Sequence, residues 1–230
     1  MQAGQKSKED IYNELKEQIL TLQAVPHEKL SENSIASRSD VSRTIVRGAF
    51  SRLTEEGLLT VLPQSGTFVS FISMKKVQQT IFAYNTILSK LIEEICGHRL
   101  SQEEEKKLQT TEVEMQSLSK DTDEKMRRDA QLVRLLSEMS RREYVVDFLN
   151  SINFDLLRVM RLSYDTFAIN TFSYYSSPTS ESMEVIIRML FNYIRDRDVF
   201  AAQMLIQNRY NSVMFKAERL REMYNEYFSG

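Results

Sequence analysis

Apolar residues recur at helical spacing through the first third of the chain. The segment KEDIYNELKEQILTL places four of them on one helical face, at Ile11, Leu15, Ile19 and Leu22. This is the pattern of an amphipathic helix. Pro26 then forces a turn. The following segment, LSENSIASRS, predicts a second, short helix that Ser31 caps, with the acidic Glu32 in its first turn.

A third helix and a β-hairpin follow. Ser42 is the expected cap of this helix, and Gly57 its expected end. Its buried face is indicated by apolar residues at i, i+3, i+4 and i+7, which are Val46, Ala49, Phe50 and Leu53. The segments LLTVLP and GTFVSFI alternate apolar and polar residues around QSG, so they predict two strands joined by a tight turn.

The rest of the chain contains almost no helix-breaking residues. Residues 67–229 hold only Gly97 and Pro178, which favours long helices. The polar segments SLSKDTDEK and SYYSSPTSES predict breaks between them. Five apolar stripes have helical spacing: Val77, Ile81, Tyr84, Leu88, Leu91 and Ile95; Met126, Leu132, Val133, Leu136 and Met139; Val145, Phe148, Leu149, Ile152, Leu156 and Val159; Val185, Ile186, Met189, Leu190 and Ile194; and Met204, Ile206, Val213, Met214, Ala217 and Leu220.

These patterns predict a mainly α protein of two domains. Residues 1–73 form an N-terminal winged helix-turn-helix, and residues 74–79 form a linker. Residues 80–230 form a C-terminal antiparallel all-helical bundle. An apolar content of 42% is enough to build a core for each domain.

Charge and cysteine content add two expectations. The net charge is −2, and residues 1–73 carry eight Lys/Arg against nine Asp/Glu, so any nucleic-acid contact depends on where the charges lie. From Lys29 to Leu53 the balance is five basic against two acidic residues. Cys96 is the only cysteine and no apolar signal segment is visible, so we expect a cytoplasmic protein without membrane association.

The third helix presents a polar arc opposite its buried stripe. At about 100° per residue, Arg43, Thr44, Arg47 and Ser51 share this arc, and Gly48 beside it adds no bulk. Arginine donates two parallel hydrogen bonds to guanine or phosphate, and hydroxyls bind phosphates or bases. An arginine pair alone is common on solvated helices. Here a capped helix, a polar turn, a second helix and a hairpin surround it, so the sequence predicts DNA binding.

The segment LSENSIASRSDVSRTIVRGAFSRLTEEGLLTVLPQSGTFVS resembles the DNA-binding domain of GntR-family transcription regulators. The family pattern is L-S-E-x-x-L-A-x-x-x-G-V-S-R-T-P-V-R-E-A-L-x-R-L-x-x-E-G-L followed by a wing with glycine at its tip, and the resemblance covers residues 9–72. It implies DNA contacts by a set of candidate residues: Asn33, Arg38, Ser42, Arg43, Thr44, Arg47, Gln64, Ser65 and Gly66.

Four positions depart from the family pattern. Asp40 replaces the usual glycine of the turn, Ile45 replaces proline and Gly48 replaces glutamate. Asn33 stands where a DNA-contacting arginine is common, which puts the usual operator sequence in doubt. We expect the departures at Ile45 and Gly48 to leave the fold intact.

The helical domain resembles the FCD, or FadR-like, subgroup through the stretches HRLSQEEEKKL (98–108) and IRDRDVFAAQMLIQ (194–207). Many members of this subgroup bind a divalent metal through one Asp and three His. The resemblance aligns the Asp position with Asp129, but the His positions fall on Val133, Ile187 and Arg209. We therefore predict neither a metal nor another cofactor.

Several hypotheses for the helical domain stay open. Asp129, Arg134 and Arg209 are candidates for holding a small organic acid, since arginine binds carboxylates bidentately. The two arginines are equally compatible with solvated or salt-bridged positions, the latter with Asp129. A longer apolar ligand such as an acyl group, or no effector at all, is also compatible with the sequence.

The resulting hypothesis is a DNA-binding transcription regulator that acts as a homodimer on an inverted-repeat operator of double-stranded DNA. In the family, repression is the commoner outcome. The chain has no glycine-rich phosphate loop, catalytic pair or zinc-ligand spacing, so we do not expect an enzyme. The remaining alternative is a helical protein-interaction scaffold, which would not need the Arg43 and Arg47 pair.

Overall fold

A computed structural model describes residues 6–115, 121–167 and 183–229 of the chain. The chain divides into two compact units, Met1–Met74 with Leu220–Gly230, and Lys75–Arg219. The first unit contains α1 (Lys8–Leu20), β1 (Lys29–Leu30), α2 (Glu32–Ser39), α3 (Arg43–Glu55), β2 (Leu59–Leu62) and β3 (Gly66–Val69). This is the element order of a winged helix-turn-helix.

Serine residues cap the N-termini of the three helices of the first unit. The hydroxyl groups of Ser7, Ser31 and Ser42 each accept a hydrogen bond from a backbone N–H three residues later. The predicted caps Ser31 and Ser42 are therefore confirmed. The first helix is shorter than its apolar pattern predicts, because it ends at Leu20 and Leu22 adopts a positive φ of 60°.

The three strands form one antiparallel sheet in the order β1-β3-β2. The predicted hairpin is confirmed, with Leu59 opposite Val69 and Leu62 opposite Gly66. The short strand β1 was not predicted. Its two residues pair with the outer edge of β3, where Lys29 lies opposite Phe68.

The core of the first unit lies between α1 and α3, which pack against each other. The predicted apolar stripe of α3 is buried in full, and α1 contributes Ile11, Leu15 and Ile19. The strand β2 and the loop before it add Leu58 and Leu59. Burial of these side chains fixes the rotation of α3 about its axis, because each is removed from water only in one orientation.

The C-terminal segment completes the first unit. A short 3-10 helix, Asn225–Tyr227, leads to Phe228, which pairs in parallel with Ile72 and is buried. Ile72 N–H donates to the carbonyl of Tyr227 at 2.9 Å, and Ser229 N–H donates to the carbonyl of Ile72 at 3.0 Å. The predicted boundary is corrected here, because residues 220–230 group with the DNA-binding unit and not with the bundle.

The second unit is helical throughout its described residues. Its helices are α4 (Met74–Cys96), α5 (Gln102–Glu114), α6 (Thr122–Met139), α7 (Tyr144–Ile152), α8 (Phe154–Phe167), α9 (Met183–Arg195) and α10 (Val199–Met223). Residues 74–79, predicted as a linker, instead form the first turns of α4. No helix in the described ranges combines the length and the apolarity that a bilayer crossing requires.

The apolar stripes predict the packing of this unit in most places. The stripe of α4 is buried completely, and most of the α6 stripe is buried as well. The third predicted stripe spans two helices, since a break at Asn153 separates α7 from α8, and its Phe148 is exposed. The predicted break SYYSSPTSES and part of SLSKDTDEK lie outside the described residues.

Candidate functional site

The exposed face of α3 carries three of the predicted DNA-contacting residues. Arg43, Thr44 and Arg47 are exposed, because the opposite face is buried against the core. Arg43 is the first residue of the helix and Thr44 the second. Their side chains therefore project from the N-terminal end of α3, the part of a recognition helix that contacts bases.

Two departures from the family pattern have a local structural explanation. With isoleucine at position 45, the backbone N–H donates to the Ser42 hydroxyl at 3.4 Å, a hydrogen bond that proline cannot make. Asp40 adopts a left-handed conformation, with φ 53° and ψ 46°. Aspartate is among the few residues besides glycine that tolerate this conformation. The turn between α2 and α3 therefore has the geometry that the usual glycine provides.

An ion pair joins the recognition helix to α2. Arg47 Nη2 donates to Glu32 Oε2 at 3.2 Å, and 67% of the Arg47 side chain remains exposed. An exposed pair of this kind contributes at most about 1 kcal/mol, so the guanidinium is free to exchange this partner for DNA. Asn33 and Arg38 lie on the same short helix, and both are exposed.

The wing ends in a tight turn. Ser65 N–H donates to the carbonyl of Leu62 at 3.0 Å. Pro63 precedes Gln64, which has a φ of 61°, as in a type II turn with proline first and a left-handed residue second. Gly66 follows with a φ of 118°, a conformation that favours glycine. Gln64 and Ser65 are exposed, so the predicted wing-tip residues lie together at the end of the hairpin.

A polar network on the α1 side of α3 was not predicted from the sequence. The guanidinium of Arg52 lies 3.6 Å above the ring centroid of Tyr12. The Tyr12 hydroxyl donates to Glu56 at 2.6 Å, and Lys16 Nζ donates to the other Glu56 oxygen at 2.9 Å. Burial opposes ionisation of Glu56, but these hydrogen bonds outweigh it and lower the pKa of this carboxyl. The network joins α1 to the end of α3.

Comparison with known proteins identifies the class of the DNA-binding unit. Residues 7–69 match the family described as "Bacterial regulatory proteins, gntR family", the range that contains α1–α3 and the wing. The protein is therefore a DNA-binding transcription regulator with a winged helix-turn-helix. The match makes residues 7–69 a GntR-type DNA-binding domain, and the relatives of the chain are named transcriptional regulators and not enzymes.

Relatives with similar sequences carry matching descriptions. The chain is 40% identical over 79 residues to an uncharacterized HTH-type transcriptional regulator of Streptomyces ambofaciens, a match that spans 34% of each protein. It is 25% identical over 231 residues to the HTH-type transcriptional repressor RspR of Escherichia coli strain K12, covering 96% of this chain and 93% of that protein.

Solved structures share the fold over nearly the whole chain. Escherichia coli McbR/YncC has a TM-score of 0.61 at 13% identity and covers 96% of this chain and 98% of its own. Lar, which controls expression of the Listeria monocytogenes agr system, has a TM-score of 0.59 at 18% identity, with coverage of 94% and 98%. At these identities the likeness establishes the fold.

The helical unit contains a buried ion pair at two of the predicted ligand positions. Arg209 Nη2 donates to Asp129 Oδ1, and these side chains are only 11% and 7% exposed. The Tyr164 hydroxyl donates to the second Asp129 oxygen at 2.5 Å and accepts from Arg209 at 2.9 Å. Asp129, Tyr164 and Arg209, which come from α6, α8 and α10, are called the Asp129 cluster below.

Arg134 does not join this cluster. Its side chain is exposed, so the prediction of an inward, ligand-binding Arg134 is corrected. Arg134 follows Asp129 by five residues, which is about 140° around the helix axis. The two side chains therefore leave α6 in nearly opposite directions.

The positions that hold metal ligands in the resembled subgroup do not fit a metal here. Val133 and Ile187 are buried aliphatic residues without a donor atom. Arg209 remains protonated and has no lone pair to offer. No group of three or more His, Cys, Asp or Glu in the described residues is placed to hold a metal ion.

Further cations surround the Asp129 cluster, and the sequence did not single them out. Burial, and then the nearby Arg209 guanidinium, lower the pKa of Lys216. Lys125 Nζ lies 5.4 Å from the centroid of the Tyr164 ring. Burial would lower the pKa of Arg209, but the Asp129 carboxylate outweighs it and raises this pKa. The cluster, which holds one carboxylate, therefore has three cationic groups in or around it.

We expect the Asp129–Arg209 pair to be essential for the folded state. Arg209→Met should lower the free energy of unfolding by about 3–5 kcal/mol, because it leaves a buried carboxylate without its cation. The matched control is Arg142→Met, which removes an exposed pair with Glu94 and should cost at most about 1 kcal/mol. Urea denaturation measures both. Equal losses for the two variants would contradict a structural role for the buried pair.

Proposed function

We propose that the protein is a transcription repressor that binds an inverted-repeat operator as a homodimer in the cytoplasm. The observation that carries this proposal is the exposed arc of Arg43, Thr44 and Arg47 on the capped helix α3. In the proposed complex, α3 lies in the major groove and the wing tip lies over the adjacent minor groove.

Each candidate residue has a role in this complex that fits its chemistry. Arg43 and Arg47 donate to guanine edges or phosphates, and Thr44 contacts a base or a phosphate. Ser42 accepts a backbone hydrogen bond as the helix cap, which leaves its hydroxyl proton for a phosphate. Arg38 and Asn33 on α2, and Gln64, Ser65 and Gly66 on the wing, complete the proposed contact surface. The repressor assignment is supported by the relation to RspR.

Selection of genomic DNA fragments on the purified protein tests this proposal. We expect the wild type to enrich a short inverted repeat, and an Arg43→Ala/Arg47→Ala double variant to lose this enrichment. Both side chains are exposed, so the variant should keep its fold. Circular dichroism and the melting temperature check that it does.

The matched control is an Arg141→Ala/Arg142→Ala double variant, which removes the same charge from exposed positions of the helical unit. It should enrich the same repeat as the wild type. If the double variant on α3 enriches the repeat equally well, these arginines are only a solvated face of the helix. A wild type that enriches no sequence would contradict the proposed function itself.

An exposed apolar surface on the helical unit supports the proposed dimer. Four large side chains make up this α4/α10 surface, and their exposures are 73% for Phe82, 75% for Phe200, 40% for Met204 and 77% for Phe215. The three residues from α10 share one helical face. Several large apolar side chains exposed on one side of a folded protein indicate an interaction site.

The two helices of this surface are held side by side. Asn85 Nδ2 donates to Asn211 Oδ1 at 2.8 Å. Gln203 and Gln207 both donate to Ser89, one to its carbonyl at 2.9 Å and one to its hydroxyl at 3.0 Å. We infer that a second copy of the chain covers this surface, since a two-fold operator requires a two-fold protein and a two-fold interface uses the same patch on both copies.

Analytical ultracentrifugation tests the dimer. We expect the wild type to sediment as a dimer at micromolar concentration, and Phe82→Asp/Phe215→Asp to sediment as a monomer, because a charge replaces each apolar contact. Tyr144→Asp is the matched control, since Tyr144 is 86% exposed on α7, outside this surface, and its variant should remain dimeric. A monomeric wild type, or a double variant that remains a dimer, would contradict the assignment.

The Asp129 cluster supports control by a small organic acid. Arg209 Nε is buried and has no hydrogen-bond partner among the described residues. An unsatisfied buried donor is costly, and a carboxylate would satisfy it. Lys216 and Lys125 add positive charge around the same cluster, which compensates the charge of an incoming anion. The helical architecture is compatible with the FCD subgroup, and we propose this cluster as its effector site.

Control of DNA binding then follows from linkage. An acid that binds one arrangement of the dimer better than another shifts the population by its difference in affinity. An effector with equal affinity for both arrangements would leave DNA binding unchanged. The alternatives are an apolar acyl effector and a regulator without any effector.

Thermal unfolding with a panel of small carboxylic acids, acyl compounds and a chelator tests the effector. We expect one acid to raise the melting temperature of the wild type but much less that of Lys216→Met, with about 2.7 kcal/mol of stabilisation at a hundredfold excess over Kd. Lys106→Met, an exposed lysine of α5, should keep the full shift. The chelator should change nothing, since the donor set does not fit a metal. A shift by acyl compounds alone, or by none, would contradict the proposed acid site.

A further inference from the structure

Gly48, which borders the proposed contact surface, and Gly66, which belongs to it, each lie beneath a lysine side chain. A Cβ atom on Gly48 would stand 2.9 Å from Lys8 Cε and 3.0 Å from Lys8 Cδ. A Cβ atom on Gly66 would stand 2.9 Å from Lys29 Cε. In both places the aliphatic part of the lysine occupies the space that a larger residue would need.

Both lysines keep an exposed ammonium group. Lys8 and Lys29 are exposed, and neither forms an ion pair within residues 6–115, 121–167 and 183–229. Their neighbours in the sequence differ in this respect, because Lys6 pairs with Glu14 at 2.6 Å and Lys16 pairs with Glu56 at 2.9 Å. A lysine whose stem packs on the protein while its head stays in water is positioned for an external anion.

The two glycines lie at different places on the contact surface. Gly48 borders the arc of Arg43, Thr44 and Arg47 on its α1 side, where Arg52 also donates to Glu9 of α1. Gly66 lies at the wing tip, and Lys29 reaches it from β1 while its Nζ stays 5.9 Å from the centroid of the Phe68 ring. One ammonium therefore lies beside the recognition helix and the other beside the wing.

We infer that Lys8 and Lys29 bind phosphates of the operator backbone, Lys8 beside α3 and Lys29 beside the wing. This inference rests on the proposed function, in which α3 occupies the major groove. The DNA backbones that border this groove then run past α3 and the wing, where the two ammonium groups lie. Phosphate contacts of this kind set the position of a protein on the duplex without specifying the sequence.

Gly48 has a particular role in this arrangement. The family pattern places glutamate at this position, and a carboxylate beside Lys8 would neutralise its charge. With glycine, the Lys8 stem packs against α3 at this position, and its charge remains available for DNA. Gly66 provides the same clearance for Lys29, in addition to allowing the positive φ of the wing tip.

The salt dependence of DNA affinity tests this inference. Each neutralised phosphate contributes about −0.9 to the slope of log K against log salt concentration. We expect Lys8→Met and Lys29→Met each to reduce this slope by about 0.9 per protomer. The ratio of wild-type to variant affinity should then fall about 3.5-fold per protomer as the salt concentration rises from 50 to 200 mM. Each variant should lose the same factor in affinity for the operator and for random duplex DNA.

Two controls separate this result from other causes. Lys8→Arg and Lys29→Arg keep the charge and should keep the slope, whereas Lys106→Met removes a lysine of α5 and should also keep it. Melting temperatures of all variants should match the wild type. An unchanged slope in Lys8→Met and Lys29→Met would overturn the inference. A different result would contradict the proposed function: a wild type that does not prefer its selected operator over random DNA.

Discussion

The function of this protein depends on the burial of one helical stripe. Val46, Ala49, Phe50 and Leu53 leave water together when α3 packs on α1, and no other rotation of α3 buries all four. Because the helical repeat is fixed, the same rotation places Arg43, Thr44 and Arg47 in solvent. The core of the domain thereby determines which side chains meet an external partner.

Local interactions then fix the two ends of this helix. Ser42 caps its beginning, so Arg43 and Thr44 are held in the first turn. The network of Tyr12, Lys16 and Glu56 holds its end against α1. The bulk charge of −2 gives no indication of DNA binding. The position of a few cations on a rigid helix and wing gives this indication instead.

Most elements of the DNA-binding unit could be predicted from the sequence, because their determinants are local. Serine caps and alternating strands act over a few residues, and the structure confirms them at Ser31, Ser42 and β2–β3. The pairing of Ile72 with Phe228 joins residues far apart in the chain, and no local pattern predicts it. The strand β1 is too short for its two residues to display an alternation.

In the helical unit, the family resemblance predicted only part of the Asp129 cluster. Alignment with the metal-binding subgroup selected Asp129 and Arg209, which do meet, although as an ion pair. It did not select Tyr164 or Lys216, because their proximity depends on the packing of α8 and α10 against α6. Arg134 could have been excluded from helical geometry alone, since it lies about 140° from Asp129 around α6.

We propose that α3 recognises a base sequence through its exposed arginines. The most direct test measures wild type and Arg47→Ala against an operator in which each base pair is substituted in turn. We expect the wild type to lose about 1–3 kcal/mol of binding free energy at each contacted position. Arg47→Ala should lose discrimination at one position of each half-site and keep it at the others. A variant that discriminates as the wild type does at every position would contradict base recognition by Arg47.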